Sequence, residues 1–117
     1  MRPMPESQSF ELTPAQIKTL QRLLASGFQF VPMERITRHV VVEKDGFIAL
    51  LDPAEGKLKL FGQVGYRVGD GIGMLVEQGR QHSFVWKKQS IPATPVLLSA
   101  CSRVKKELAE ILVDVHQ

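Results

Sequence analysis

Residues 39–91 read HVVVEKDGFIALLDPAEGKLKLFGQVGYRVGDGIGMLVEQGRQHSFVWKKQSI. Short apolar segments rich in β-branched and aromatic residues alternate with turn-forming clusters, the pattern of successive β-strands rather than helices. Glu43-Lys44-Asp45-Gly46 is a hairpin signal, because Asp and Gly tolerate the positive φ that such turns demand. Asp52-Pro53-Ala54-Glu55-Gly56 is a second turn, with Pro53 presetting φ. Gly69-Asp70-Gly71 and Gln78-Gly79-Arg80-Gln81 are two more. The strands so delimited run from about Arg35 to Glu43, from Phe47 to Leu51, from Lys57 onward, from Ile72 to Glu77 and from His82 to Ile91. Gly62 and Gly65 loosen the third, leaving Gln63 to Val68 as strand, bulge or loop. Phe28 to Val31 forms a short lead-in that Pro32 breaks or edges. Loops this short join antiparallel neighbours, since parallel strands need long crossovers.

Two helices bracket the strands. Before them, Thr13 can cap a helix with Pro14 at its first position, and Gln16 completes a capping box. Leu12 and Ile17 can form a hydrophobic staple across that cap. Ile17, Leu20, Leu23 and Leu24 make the apolar stripe, and Gly27 can take the left-handed conformation that ends the helix and folds Phe28 back on Leu23. After the strands, Thr94 caps and Pro95 opens a long helix in which Leu97, Cys101, Val104, Leu108, Ile111 and Val115 recur at helical spacing, widened by Leu98 and Leu112. The expected fold is α+β: an N-terminal helix, an antiparallel β-meander of about five strands and a long C-terminal helix. Residues 1–11, with two prolines and no periodicity, read as a flexible N-terminal arm, and residues 12–117 as a single α+β domain.

A chain of 117 residues, 44% apolar and 23% charged, has the size and composition of one globular domain. Its net charge of +3, from 15 basic and 12 acidic side chains, permits contact with nucleic acid without requiring it. The single cysteine allows no internal disulfide and fits a reducing compartment. Neither an apolar leader nor a run of about 18 apolar residues is present, so a soluble cytoplasmic protein is the expectation.

The sheet pattern is the strongest lead to function. A sheet with one wet face alternates apolar and polar residues, but residues 40–42, 47–51, 74–76 and 84–86 do not. The helices could take opposite faces, or share one face and leave the other to a partner. A helix about 10 Å across cannot cover five strands spanning about 24 Å. Association is therefore expected, most simply as a two-fold homodimer. A strongly coiled sheet that closes on these residues is the alternative.

Candidate chemistry is sparse. Cys101, on the apolar stripe of the last helix, reads as a buried packing residue rather than a nucleophile. His39, His82 and His116 lack the local spacing of a metal site, although His39 and His82 could meet across the sheet. Glu43, Asp45, Asp52, Glu55 and Asp70 belong to turns, and none forms a recognisable catalytic pair. Gly69-Asp70-Gly71-Ile72-Gly73 lacks the Lys-Ser or Lys-Thr and the following helix of a phosphate loop. A spot where another backbone approaches closely is the better account of its glycines. No catalytic residue, metal ligand or cofactor is assigned. A pocket joining His39 or His82 to a turn carboxylate would be needed for an enzyme or small-ligand binder.

Charge distribution supplies one further candidate. Between Gln78 and Lys106 no acidic residue occurs, while Arg80, Lys87, Lys88 and Lys105 fall there, and Trp86 precedes the lysine pair. Basic and aromatic sheet surfaces bind single-stranded nucleic acid by stacking and phosphate neutralisation. Against this, Arg103 with Glu107 and Lys106 with Glu110 have the spacing of self-neutralising helix pairs, and Trp86 shares its strand face with Phe84, as a core residue would. The leading expectation is thus a small interaction or assembly module acting as a homodimer or complex subunit. Single-strand nucleic-acid binding through Arg80, Lys87, Lys88 and Lys105 comes second.

Overall fold

The capping signal at Thr13 is realised in full. In a computed structural model of the chain, which describes residues 12–31, 33, 36, 38–53 and 56–113, the first helix, α1, spans Pro14–Ala25. Thr13 Oγ1 accepts from the Gln16 N–H at 3.1 Å, and Gln16 Oε1 accepts from the Thr13 N–H at 2.8 Å. At the other end Gly27 takes a φ of 102°. Its N–H donates to the Leu24 carbonyl at 3.1 Å and the Phe28 N–H to the Leu23 carbonyl at 3.0 Å, the paired bonds of a Schellman end. The turn returns Phe28 to the core that holds Leu23.

The buried face of α1 is not the expected stripe. Leu20 and Leu23 are buried with Gln16 and Thr19, while Ile17 and Leu24 remain 44% and 45% exposed. Hydrogen bonding explains the rotation. Gln16 Nε2 donates to the Lys57 carbonyl at 2.7 Å, and the Thr19 hydroxyl to the Ala15 carbonyl at 3.1 Å. Both polar groups are satisfied inside, so burying them carries little penalty.

Among the described residues seven strands follow: β1 Gln29–Phe30, β2 Val40–Lys44, β3 Phe47–Asp52, β4 Lys59–Val68, β5 Gly71–Gln78, β6 Gln81–Trp86 and β7 Gln89–Pro92, before helix α2 at Pro95–Val113. They lie in chain order in one antiparallel sheet. Class and meander topology are as expected, but the strand count exceeds five for two reasons. The lead-in pairs with β2, Gln29 opposite Glu43 and Phe30 opposite Val42. The stretch His82–Ile91 breaks at Lys87, whose φ is 55°, so that Trp86 and Gln89 face each other across a turn. The strand anticipated from Arg35 begins instead at Val40. Gln63 to Val68 is strand, the second half of β4. Opposite Ile48–Leu50, β4 runs from Gly65 to Phe61, more residues than its partner, and the register shifts there. The arm 1–11, Arg35, Glu55, Val115 and His116 lie outside the described residues.

Both helices pack on one face of the sheet. Leu20 and Leu23 of α1 and Cys101, Val104, Leu108 and Ile111 of α2 share a buried cluster with Val40, Val42, Phe47, Ala49, Leu51, Val64, Val68 and Phe84. Within β2 and β3 these sheet residues are alternate positions, as one pleated face requires. The sheet also coils. Trp86 lies across Gly71 so closely that a Cβ there would stand 2.1 Å from the indole Cε2, and a Cβ on Gly73 would stand 2.4 Å from Val68 Cγ2. These glycines let β6 fold over β4, bringing Phe84 within 5.3 Å of Tyr66 and 6.2 Å of Phe47 between ring centroids. Close approach was the expected use of the glycines; what approaches is mainly side chain. The coiled sheet and the shared helix face therefore occur together. No helix among the described residues is long and apolar enough to cross a membrane.

Candidate interaction surface

The sheet face away from the helices is apolar in its middle. Val41 and Ile48 are buried there without belonging to the helix-side core, and Leu50 and Ile72 are half-buried. A polar clasp crosses this face: Arg67 Nε donates to Glu43 Oε2 at 3.1 Å and Arg67 Nη2 to the other carboxylate oxygen. Hydrogen bonding to Glu43 holds the guanidinium pKa above its ordinary value. Next to Val40, His39 stacks on Phe61 with ring centroids 4.3 Å apart.

Beyond the clasp the protein opens. β4 and β5 pair only through Tyr66–Gly73, Arg67–Ile72 and Val68–Gly71. Among the described residues, the rest of β5, Met74 to Gln78, pairs with β6 alone, and Lys59 to Phe61 of β4 pair with β3 alone. A wedge-shaped opening results. Leu60, Phe61, Met74, Leu75 and Val76 flank it at 39, 51, 40, 40 and 36% exposure. They are five of the nine large hydrophobic residues exposed among the described residues, so exposed apolar surface is concentrated here rather than scattered. Residues 74–81 are exposed throughout; this end of the β5–β6 hairpin stands out as an arm.

The basic residues do not converge on one patch. Arg80 lies in the β5–β6 turn and Lys87 and Lys88 in the β6–β7 turn, at opposite ends of a strand about 20 Å long. Lys87 and Lys88 border a shallow depression of about 240 Å³ whose walls include Gln78, Gln81, Ser83 and Ser90 and which no carboxylate lines. Lys105 is exposed on α2, which packs against the other face of the sheet. Trp86 packs against the core, with its indole Nε1 buried and unpartnered among the described residues; Lys87 Nζ lies 5.2 Å from the ring centroid. The anticipated Arg103–Glu107 pairing gives way to a longer-range bond, because Lys44 Nζ binds Glu107 Oε1 at 2.7 Å and the Ser26 carbonyl at 2.7 Å.

Among the described residues, the other candidates are held in separate contacts. His39 is engaged with Phe61, whereas His82 stands 3.5 Å from Glu77 across the β5–β6 ladder. His82 also borders a depression of about 420 Å³ with Arg80, Thr94 and Pro95; Glu77 itself is 67% exposed, so their contact is a solvated cross-strand one. Asp45 and Asp70 lie in tight turns and Asp52 pairs with Lys59 in the β3–β4 register. Cys101 is buried, and burial pushes its thiol pKa up, with Lys105 opposing. No group of three or more His, Cys, Asp or Glu among the described residues could hold a metal ion.

No protein-family model, curated protein or solved structure matches this chain. The surface must be read from its own geometry. The residues around the opening carry only a partial signal in the sequence: the unalternating run Met74-Leu75-Val76 is visible, but the divergence of β4 from β5 that exposes it is not.

Proposed function

We propose that this protein is an interaction module that self-associates through the apolar opening between β4 and β5 and acts in the cytoplasm as a homodimer or as a subunit of a larger complex. The concentration of Leu60, Phe61, Met74, Leu75 and Val76 around that opening carries the reading. A monomer normally disperses its exposed apolar side chains, and their concentration along one open strand edge is the mark of a region covered in the working state. The single, buried Cys101 is compatible with a reducing compartment. Sedimentation equilibrium over a micromolar concentration series tests the reading. The expected result is a mass rising to twice that of the chain; a monomer at every concentration would remove the proposal.

The depression beside Lys87 and Lys88 favours a second reading, single-strand nucleic-acid binding. Its support is a concave, carboxylate-free wall of amides and hydroxyls, with Val76 and Val85, next to two lysines. About four phosphate contacts, if Arg80 and Lys105 also engage, would make log affinity fall with log salt at a slope of about −3. Titration of labelled single-stranded DNA and RNA at two salt concentrations checks this, and absence of binding at low salt would retire it. Trp86, committed to the core, supplies no stacking platform, so self-association remains the better-supported reading.

A further inference from the structure

Resting on the self-association reading, we infer that the contact is made by strand addition: residues Met74–Gln78 of β5 pair antiparallel with the same residues of a second copy across a two-fold axis, centred on Val76. The backbone points to a strand as the occupant. The His82 carbonyl accepts from Ala93 N–H at 2.9 Å on the β7 side, so His82 directs its main-chain groups away from β5. Its partner Glu77 is then at a non-hydrogen-bonded position of the β5–β6 ladder, and so is Leu75 two residues earlier. The N–H and C=O groups of both therefore face the opening, where no residue of β4 is paired with them. An extended strand satisfies that row of donors and acceptors.

The other free edges are protected in the ways that discourage pairing. β1 is two residues long, β7 is Gln-Ser-Ile-Pro, and the facing half of β4 is interrupted by Gly62 at φ 71°. Met74–Gln78 has no proline, no bulge and no lysine, and its one charge lies near its end. Charge placement points to a second copy. Centred on Val76, the pairing sets Glu77 opposite the partner's Leu75 and Gln78 opposite the partner's Met74, so no charge faces a like charge directly. Leu75 extends the apolar surface on one side of the joined sheet, and Met74 and Val76 on the other. A two-fold operation perpendicular to the sheet keeps these faces aligned, because residues opposite one another then share parity.

Charge exchange at the centre tests the register. Val76→Lys and Val76→Glu each set like charges face to face at the axis, and each alone should weaken dimerisation at least about 100-fold by sedimentation velocity. Mixed in equal amounts they should form a heterodimer, because Lys then meets Glu. Glu77→Pro removes an outward N–H while leaving every apolar side chain in place, and should weaken the dimer at least about 10-fold. Thermal unfolding of each variant as a monomer establishes that it is folded. Rescue in the mixture supports the inference, even if Glu77→Pro alone does not fold. If the native chain dimerises but the variants dimerise equally well, or folded weakened variants are not rescued by mixing, the strand pairing is wrong and self-association stands. A native chain that stays monomeric overturns both.

Discussion

Gln16 shows how one residue serves two levels of structure. Its carbonyl oxygen closes the capping box of α1 and its amide nitrogen reaches the Lys57 carbonyl, which fastens the helix start to the approach to β4. Gln16→Glu keeps the acceptor but puts a carboxylate, at a buried position, against the Lys57 carbonyl, so it should cost about 1–3 kcal/mol in urea unfolding. Cys101 makes a different prediction. Buried beside Val104 and Leu108, it should react with a thiol reagent only as the chain opens, and Cys101→Ala should cost on the order of 1 kcal/mol through packing alone. Its raised pKa also fixes a direction. The unfolded thiol ionises first, at about pH 8.5, while the folded thiol keeps its proton. Stability from this group is therefore full below that pH and falls until the folded thiol ionises too. Unfolding of Cys101→Ala followed from pH 7 to 10 should lack this alkaline contribution. Rapid modification of the native thiol would instead show that the helix stripe is misread.

At the scale of elements, the sheet depends on two positions without side chains. Gly71 and Gly73 have room for β6 to coil over β4 only because no Cβ stands in the way. Gly71→Ala should cost about 1–3 kcal/mol by overpacking and should move the fluorescence of Trp86, the only tryptophan, to a more solvated spectrum. An unchanged spectrum and stability would mean that the indole is not held against the strand. α2 supplies the other half of the core: Leu108, fully buried, should lose about 2–5 kcal/mol on replacement by Ala because of the cavity left behind. Both helices were legible in the chain through their caps and periodic apolar residues. The rotation of α1 toward Gln16 and Thr19 was not, since a hydropathy pattern cannot register that a glutamine has found a carbonyl far along the chain.

For the whole molecule, the consequence is an asymmetric distribution of stability. The β2–β3 hairpin is sandwiched between the helix-side core and the Arg67–Glu43 clasp, whereas the end of the β5–β6 arm is exposed on all sides. Hydrogen exchange should reflect that difference. Amides of Val42 and Ala49, which face each other across β2 and β3, are expected to exchange slowly at any protein concentration. Those of Leu75 and Glu77 should exchange fast in dilute protein and become protected as concentration rises. Protection that does not depend on concentration would place their partner within the chain and remove the basis for strand addition.

Hairpin turns, helix caps and the antiparallel order of the meander follow from the chain alone, because each depends on residues close in sequence: Asp45-Gly46 for a turn, Thr13 with Gln16 for a cap, Gly27 for a helix end. The two-faced apolar character of the sheet was legible too, from the failure of Val40 to Val42 and Phe47 to Leu51 to alternate. Tertiary structure alone decided that the helices share one face, that Glu43 and Arg67 meet, and that Lys44 takes Glu107 from its expected helical neighbour. It also decided where the apolar surface remains open. The wedge between Leu60–Phe61 and Met74–Val76 arises where β4 stays with β3 while β5 leaves with β6, and such a parting reflects how all seven strands twist and pack together, which no local run of residues encodes.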